Sequence, residues 1–136
     1  MRPLAIFLLG LVLVFGALAA VIVLSRPTER AFVVVDNSFP MRAVWSQVPG
    51  TLADIESEGY SEVALATEKG LVHSWQGSFA FREPTPYAPC DLTGIDAHAE
   101  AAEADERVLI TTIGSCPTEG LTEWRIIQLE PSARSS

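Results

Sequence analysis

The run Phe32-Val33-Val34-Val35 constrains this chain more than any other stretch. Four consecutive β-branched and aromatic residues leave no wet face, so as a strand they must be covered on both sides, the situation of an inner strand of a parallel sheet. The run stops abruptly at Asp36-Asn37-Ser38. Polar side chains at that point lie where a central strand delivers its carboxyl end to the surface, the usual ligand-binding edge of open α/β sheets.

The first quarter of the chain is of another kind. Residues Pro3 to Leu24 carry no charge and no strongly polar side chain, and as a helix they span roughly 30 Å, the thickness of the hydrocarbon core. A cleavable signal peptide competes with this reading, because Arg2 makes a small basic n-region and Ala17-Leu18-Ala19 fits a cleavage site. The apolar run continues through Val21 to Leu24, longer than such a signal needs, and favours an uncleaved anchor. The expected organisation is therefore a transmembrane anchor over 1–25, a short tether over 26–30, a small α/β domain over 31–130 and a disordered tail over 131–136. Arg2 on one flank and Arg26 and Arg30 on the other do not discriminate orientation. A leader of this shape normally exports the domain behind it, which predicts a single-pass protein of the cytoplasmic (inner) membrane with its domain facing the periplasm or cell exterior.

The chain carries a net charge of −8, and all its acidic residues lie beyond the leader. Nucleic acid and anionic lipid surfaces are poor partners for such a domain, since little here could neutralise phosphates. Cys90 and Cys116 sit in proline-bearing polar loops. In an exported domain such a pair reads as a disulfide, whereas in a cytoplasmic one both are free thiols. His73 and His98 lie at no zinc spacing to them.

Along the chain, Pro40 opens a helical stretch in which Met41, Val44, Trp45, Val48, Leu52 and Ile55 share a face. Pro49 interrupts that face, predicting a kink or a restart with Thr51 as N-cap, and Gly59 ends the helix. Glu62–Thr67 and Leu71–Trp75, joined by Glu68-Lys69-Gly70, predict an antiparallel hairpin. Residues 76–91 read as a proline-rich loop with a little extended structure at Phe79–Phe81. Thr93 caps an alanine-rich acidic helix, Ala97–Asp105, with Leu92, Ile95, Ala99 and Ala102 on its buried side. Arg107–Ile113 is the second continuous apolar run and the expected neighbour of the first strand, and Glu123–Leu129 reads as an edge strand of open direction. The sum is an α/β domain with a mostly parallel central sheet of about five strands and helices on both faces, of a von Willebrand A-like or Rossmann-like kind.

The order strand, Asp-x-Ser, tryptophan-bearing helix, hairpin, helix and Val108-Leu-Ile-Thr-Thr-Ile-Gly114 resembles a von Willebrand factor type A domain over residues 31–130. That resemblance implies a parallel sheet with one antiparallel edge strand. It also implies a divalent metal held by an Asp-x-Ser-x-Ser motif, a second-loop threonine and an aspartate after the fourth strand. Asp36 and Ser38 match the first motif, but Pro40 stands for its second serine and Ile113 for the aspartate. A hard cation wants near-octahedral oxygen coordination, so the site reads as vestigial, with Asp36 and Ser38 as its remnants, Thr85 or Thr93 as its threonine, and no bound metal or cofactor. In the same frame a Cys90–Cys116 disulfide holds the loops that a metal would otherwise organise.

The resulting expectation is a membrane-tethered, non-catalytic protein-interaction or assembly module. Its contact residues are expected among Asp36, Asn37, Ser38 and Pro40, with a protein partner whose identity the sequence does not name. The alternative from another class is a small metal-dependent hydrolase using Asp36 and Ser38. A vestigial site also predicts that Asp36→Ala leaves the fold largely intact.

Overall fold

The computed structural model describes residues 2–24, 29–82 and 86–132. Most of the expected tether and tail, and Thr85, lie outside the described residues. Helix α1, Arg2–Leu24, is long and apolar enough to cross a membrane, a test that a signal sequence would also pass.

The remaining elements build a mixed five-stranded sheet. Strand β1 (Arg30–Val35) is followed by two 3-10 turns and helix α2 (Val48–Glu56). Then come β2 (Glu62–Thr67), β3 (Gly70–Gln76), a 3-10 turn at Ile95–Ala97, helix α3 (Ala99–Glu103), β4 (Glu106–Thr112) and β5 (Arg125–Leu129). The strand order is β3-β2-β1-β4-β5, with β1, β2, β4 and β5 parallel and β3 antiparallel on the edge. Strand β1 is thus the innermost, and Phe32 to Val35 are all fully buried, as a run without a wet face requires. The last strand, whose direction the sequence left open, is parallel to β4.

Alternation along β1 feeds two separate cores. Val33 and Val35 join Met41, Val44, Val48, Leu52 and Ile55 together with Leu65, Val108 and Ile110. Phe32 and Val34 join Ala64, Ala66, Ile95, Ala101, Leu109 and Trp124. The face read from Met41 to Ile55 is the buried one, although the chain builds it from two 3-10 turns and one helix. Pro49 falls in the first turn of α2, where its missing N–H costs nothing, so the helix starts at Val48; Thr51 is inside it, its hydroxyl donating to the Gln47 carbonyl at 3.0 Å.

The second helix differs more from expectation. His98 is extended, and it splits the segment into a 3-10 turn and a helix of only five residues. That break resets the helical phase: Ile95 and Ala101 are buried, while Ala99 and Ala102 face solvent. Phe79 and Phe81 form no strand, but both pack against the first core, with Trp45 and Phe81 rings 5.4 Å apart.

Candidate functional site at the carboxyl rim

Parallel pairing sets the site. Val35 is registered with Thr67 on one side and Ile110 on the other. One step further along each strand come Glu68, Asp36 and Thr111, so three neighbouring strands reach polar residues at the same level. The chain then turns at Gly114, whose φ of 80° suits glycine, and returns Ser115 over the rim.

Asp36 is fully buried and its carboxylate is heavily engaged. Oδ1 accepts the Ser38 backbone N–H at 2.9 Å, while Oδ2 accepts the Thr111 hydroxyl at 2.7 Å and the Ser115 hydroxyl at 2.5 Å. The Ser38 and Ser115 hydroxyls are themselves 2.6 Å apart. A buried carboxylate is tolerable only with such a donor set, since its desolvation otherwise costs several kcal/mol. Ser38 also anchors the next loop: it bridges Ala88, and the Phe39 N–H donates to the Ala88 carbonyl at 3.0 Å.

Cys90 and Cys116 close this rim with a disulfide whose Cα atoms are 5.5 Å apart, an ordinary separation. One ligand atom from each of Asp36, Glu68, Cys90 and Cys116 lies within 4.8 Å of the others. Glu68 accepts the Asp91 N–H through Oε2 at 2.7 Å, while its Oε1 is buried with no hydrogen-bond partner among the described residues. Burial pushes the Glu68 carboxyl above the usual carboxylate range; the Asp91 N–H opposes that and the negative charge of Asp36 adds to it. Asn37 Oδ1 is the other buried side-chain atom without a partner among the described residues, and it belongs to the same rim.

Of the four residues singled out for contact, Asp36, Asn37 and Ser38 are buried and only Pro40 is exposed. What the rim presents to solvent is instead Phe39, Tyr87 and Ile113, each at least half exposed. The first two carry cations. The Arg42 guanidinium lies 5.1 Å from the Phe39 ring and donates to the Pro86 carbonyl at 2.7 Å, and the Lys69 ammonium lies 5.8 Å from the Tyr87 ring. Among the described residues neither cation is ion-paired, in contrast with Arg30, Arg107 and Arg125.

Thr93, one of the two threonines offered as a ligand, bonds Asp91 and is exposed. Ile113, standing where the resemblance wants an aspartate, points no carboxylate at the rim. The histidines are elsewhere: His73, within β3, bonds the Ser74 carbonyl and the Ala80 N–H, and His98 packs on Phe32. Glu68, Thr111 and Ser115 were missed by sequence reasoning, which took Glu68 only as a turn residue. Aligning the ends of the apolar runs would have found the first two. No protein-family model, curated protein or solved structure matches this chain.

Proposed function

We propose that this is a membrane-tethered, non-catalytic interaction module on the extracytoplasmic face of a cytoplasmic membrane, which binds a protein partner through its carboxyl rim. The carrying observation is the exposed patch of Phe39, Pro40, Arg42, Tyr87 and Lys69, two aromatic rings each with a cation that forms no salt bridge among the described residues, on a chain of net charge −8. Aromatic residues and arginine dominate binding energy at protein interfaces, and an apolar patch edged with cations suits an acidic, partly apolar surface.

The extracytoplasmic location is supported by the Cys90–Cys116 disulfide, which persists in oxidising compartments, together with the apolar helix α1. The chain enters the domain at Arg30, the opposite end of β1 from this patch. A reduced von Willebrand A-like architecture, with helices covering both sheet faces, is favoured by the single antiparallel edge strand and by the two cores. In this reading Asp36 is, in the oxidised rim, a buried acceptor for Ser38, Thr111 and Ser115.

A photo-crosslinking amino acid at Phe39 or Tyr87 of the full-length protein, activated in native membranes, tests this. A discrete adduct is expected from both positions and is expected to vanish when Arg42→Glu and Lys69→Glu are combined. An adduct pattern shared with a probe at exposed Ser57 on the opposite rim, or indifferent to charge reversal, overturns it.

A further inference from the structure

We propose that Asp36, Glu68, Cys90 and Cys116 form a zinc site when the disulfide is reduced, so that the same rim is held either by a covalent bond or by a metal ion. Four ligand atoms at roughly 2.0–2.3 Å from a tetrahedral ion lie about 3.3–3.8 Å from one another. Here the four candidate atoms lie within 4.8 Å of each other in the oxidised rim, so the carboxylates close by about an ångström at most, while the two sulfurs, freed of their bond, move apart from about 2 Å to ligand spacing. Two thiolate sulfurs and two carboxylate oxygens are a donor set for zinc rather than for magnesium or calcium, which take oxygen ligands and more of them.

Two further observations point to a cation. Glu68 Oε2 is fixed by the Asp91 N–H, one residue from Cys90, and this leaves the buried Oε1 as an acceptor with no donor. No N–H or O–H of the described residues donates to that oxygen. Asp36, for its part, keeps an open lone pair on Oδ1, which accepts only the Ser38 N–H, while Thr111 and Ser115 hold Oδ2. Those donors orient the carboxylate, as outer partners of metal ligands do.

Conversion is a two-electron exchange with a dithiol. The dithiol delivers two electrons and two protons; the Sγ–Sγ bond breaks, thiols form on Cys90 and Cys116, and the reductant leaves as its own disulfide. Zinc then displaces both thiol protons to solvent and binds the thiolates, because only the deprotonated sulfur is a ligand. In the reverse exchange a disulfide takes up the two electrons and ends as its own dithiol, the Sγ–Sγ bond re-forms and the metal is expelled. The rim is thereby a redox-gated metal site, and its existence does not depend on the partner proposed above.

The test uses the full-length protein in detergent, reduced with dithiothreitol, freed of reductant without oxygen, and titrated with Co²⁺ and then Zn²⁺. The expected result is one equivalent of Co²⁺ with a thiolate-to-cobalt charge-transfer band, displaced by Zn²⁺ and absent from the oxidised protein. Loss of even an outer partner of a zinc ligand weakens binding about 10- to 100-fold, so Glu68→Gln is expected to weaken it at least about tenfold. No charge-transfer band, or a Glu68→Gln affinity equal to that of the parent, overturns the proposal. Should the reduced protein unfold, circular dichroism decides: Zn²⁺ restoring the native spectrum supports the site, and a chain that stays unfolded in Zn²⁺ refutes it.

Discussion

The two ends of the sheet are built on opposite principles. At the amino rim, where β1, β2, β4 and β5 begin, exposed charges meet across strands. Arg30 bonds Glu62 at 2.7 Å, and Arg125 reaches Glu58 at 2.7 Å and Glu106 at 3.2 Å, with the Tyr60 hydroxyl also on Glu106. At the carboxyl rim one buried carboxylate gathers uncharged donors, and a disulfide ties the loops above it. Surface ion pairs are adjustable and worth little individually, whereas a buried charge tolerates no loss of partners. The amino rim is therefore a soft closure and the carboxyl rim a specified one, as the proposed interaction surface would require.

The contrast can be broken most forcefully at Asp36. A solvent-exposed relic of a metal site would tolerate Asp36→Ala, but at full burial the substitution strands the Thr111 hydroxyl and the Ser38 N–H and leaves Ser115 only the Ser38 hydroxyl. A cost of about 3–5 kcal/mol is expected in denaturant unfolding of the full-length protein in detergent. Opening the disulfide with Cys90→Ser and Cys116→Ser comes next. For a loop of 26 residues the chain-entropy estimate is about 3 kcal/mol, read in the same assay. Gly114→Ala at the same rim should cost about 1–2 kcal/mol, purely from its positive φ, because an added Cβ would meet nothing within 4 Å.

Glu68→Gln acts in the other direction. The folded-state carboxyl is raised by burial, so its contribution to stability is fully present below the unfolded value of 4.5 and is lost as pH rises through the folded value. The amide keeps the acceptor for the Asp91 N–H and sheds the charge, so the variant should gain up to about 1 kcal/mol at neutral pH and nothing in acid. Thermal melts of both proteins across pH check this; a destabilised variant at pH 7 would mean that the charge at Glu68 is compensated. The smallest effect belongs to the amino rim. Its hydrogen bond from Arg125 holds the Glu58 carboxyl below the usual range, a contribution present at neutral pH and lost as pH falls through the folded value. Both side chains are more than a third exposed or nearly so, at 43% and 34%, so Arg125→Ala should cost only about 0–1 kcal/mol and less in high salt.

Much of this division was legible in the residues alone. Phe32–Val35 could only be an inner strand, the hairpin was written in Glu68-Lys69-Gly70, and the face from Met41 to Ile55 is the one that is buried. The failures have definite causes. His98 carries no signal as a helix breaker, yet its extended backbone shifts the buried set from Ala99 and Ala102 to Ala101. The crossover from β4 to β5 contains no helix, so hydrophobic periodicity could not give the direction of β5. At the rim, Asp36 and Ser38 were visible as chemistry, but whether they face solvent depends on the loops that fold over them. Ser115 arrives from 79 residues away in sequence through the turn at Gly114, and no local pattern announces it.

The account rests on a carboxyl rim that is covalently locked in the compartment where the domain works. The most direct measurement is the thiol state of the full-length protein in native membranes, broken open in the presence of an alkylating reagent and read by peptide mass spectrometry. The account predicts a single cross-linked peptide pair joining Cys90 to Cys116, with neither sulfur alkylated. Both cysteines carrying the alkyl label would contradict the locked rim and the extracytoplasmic placement together.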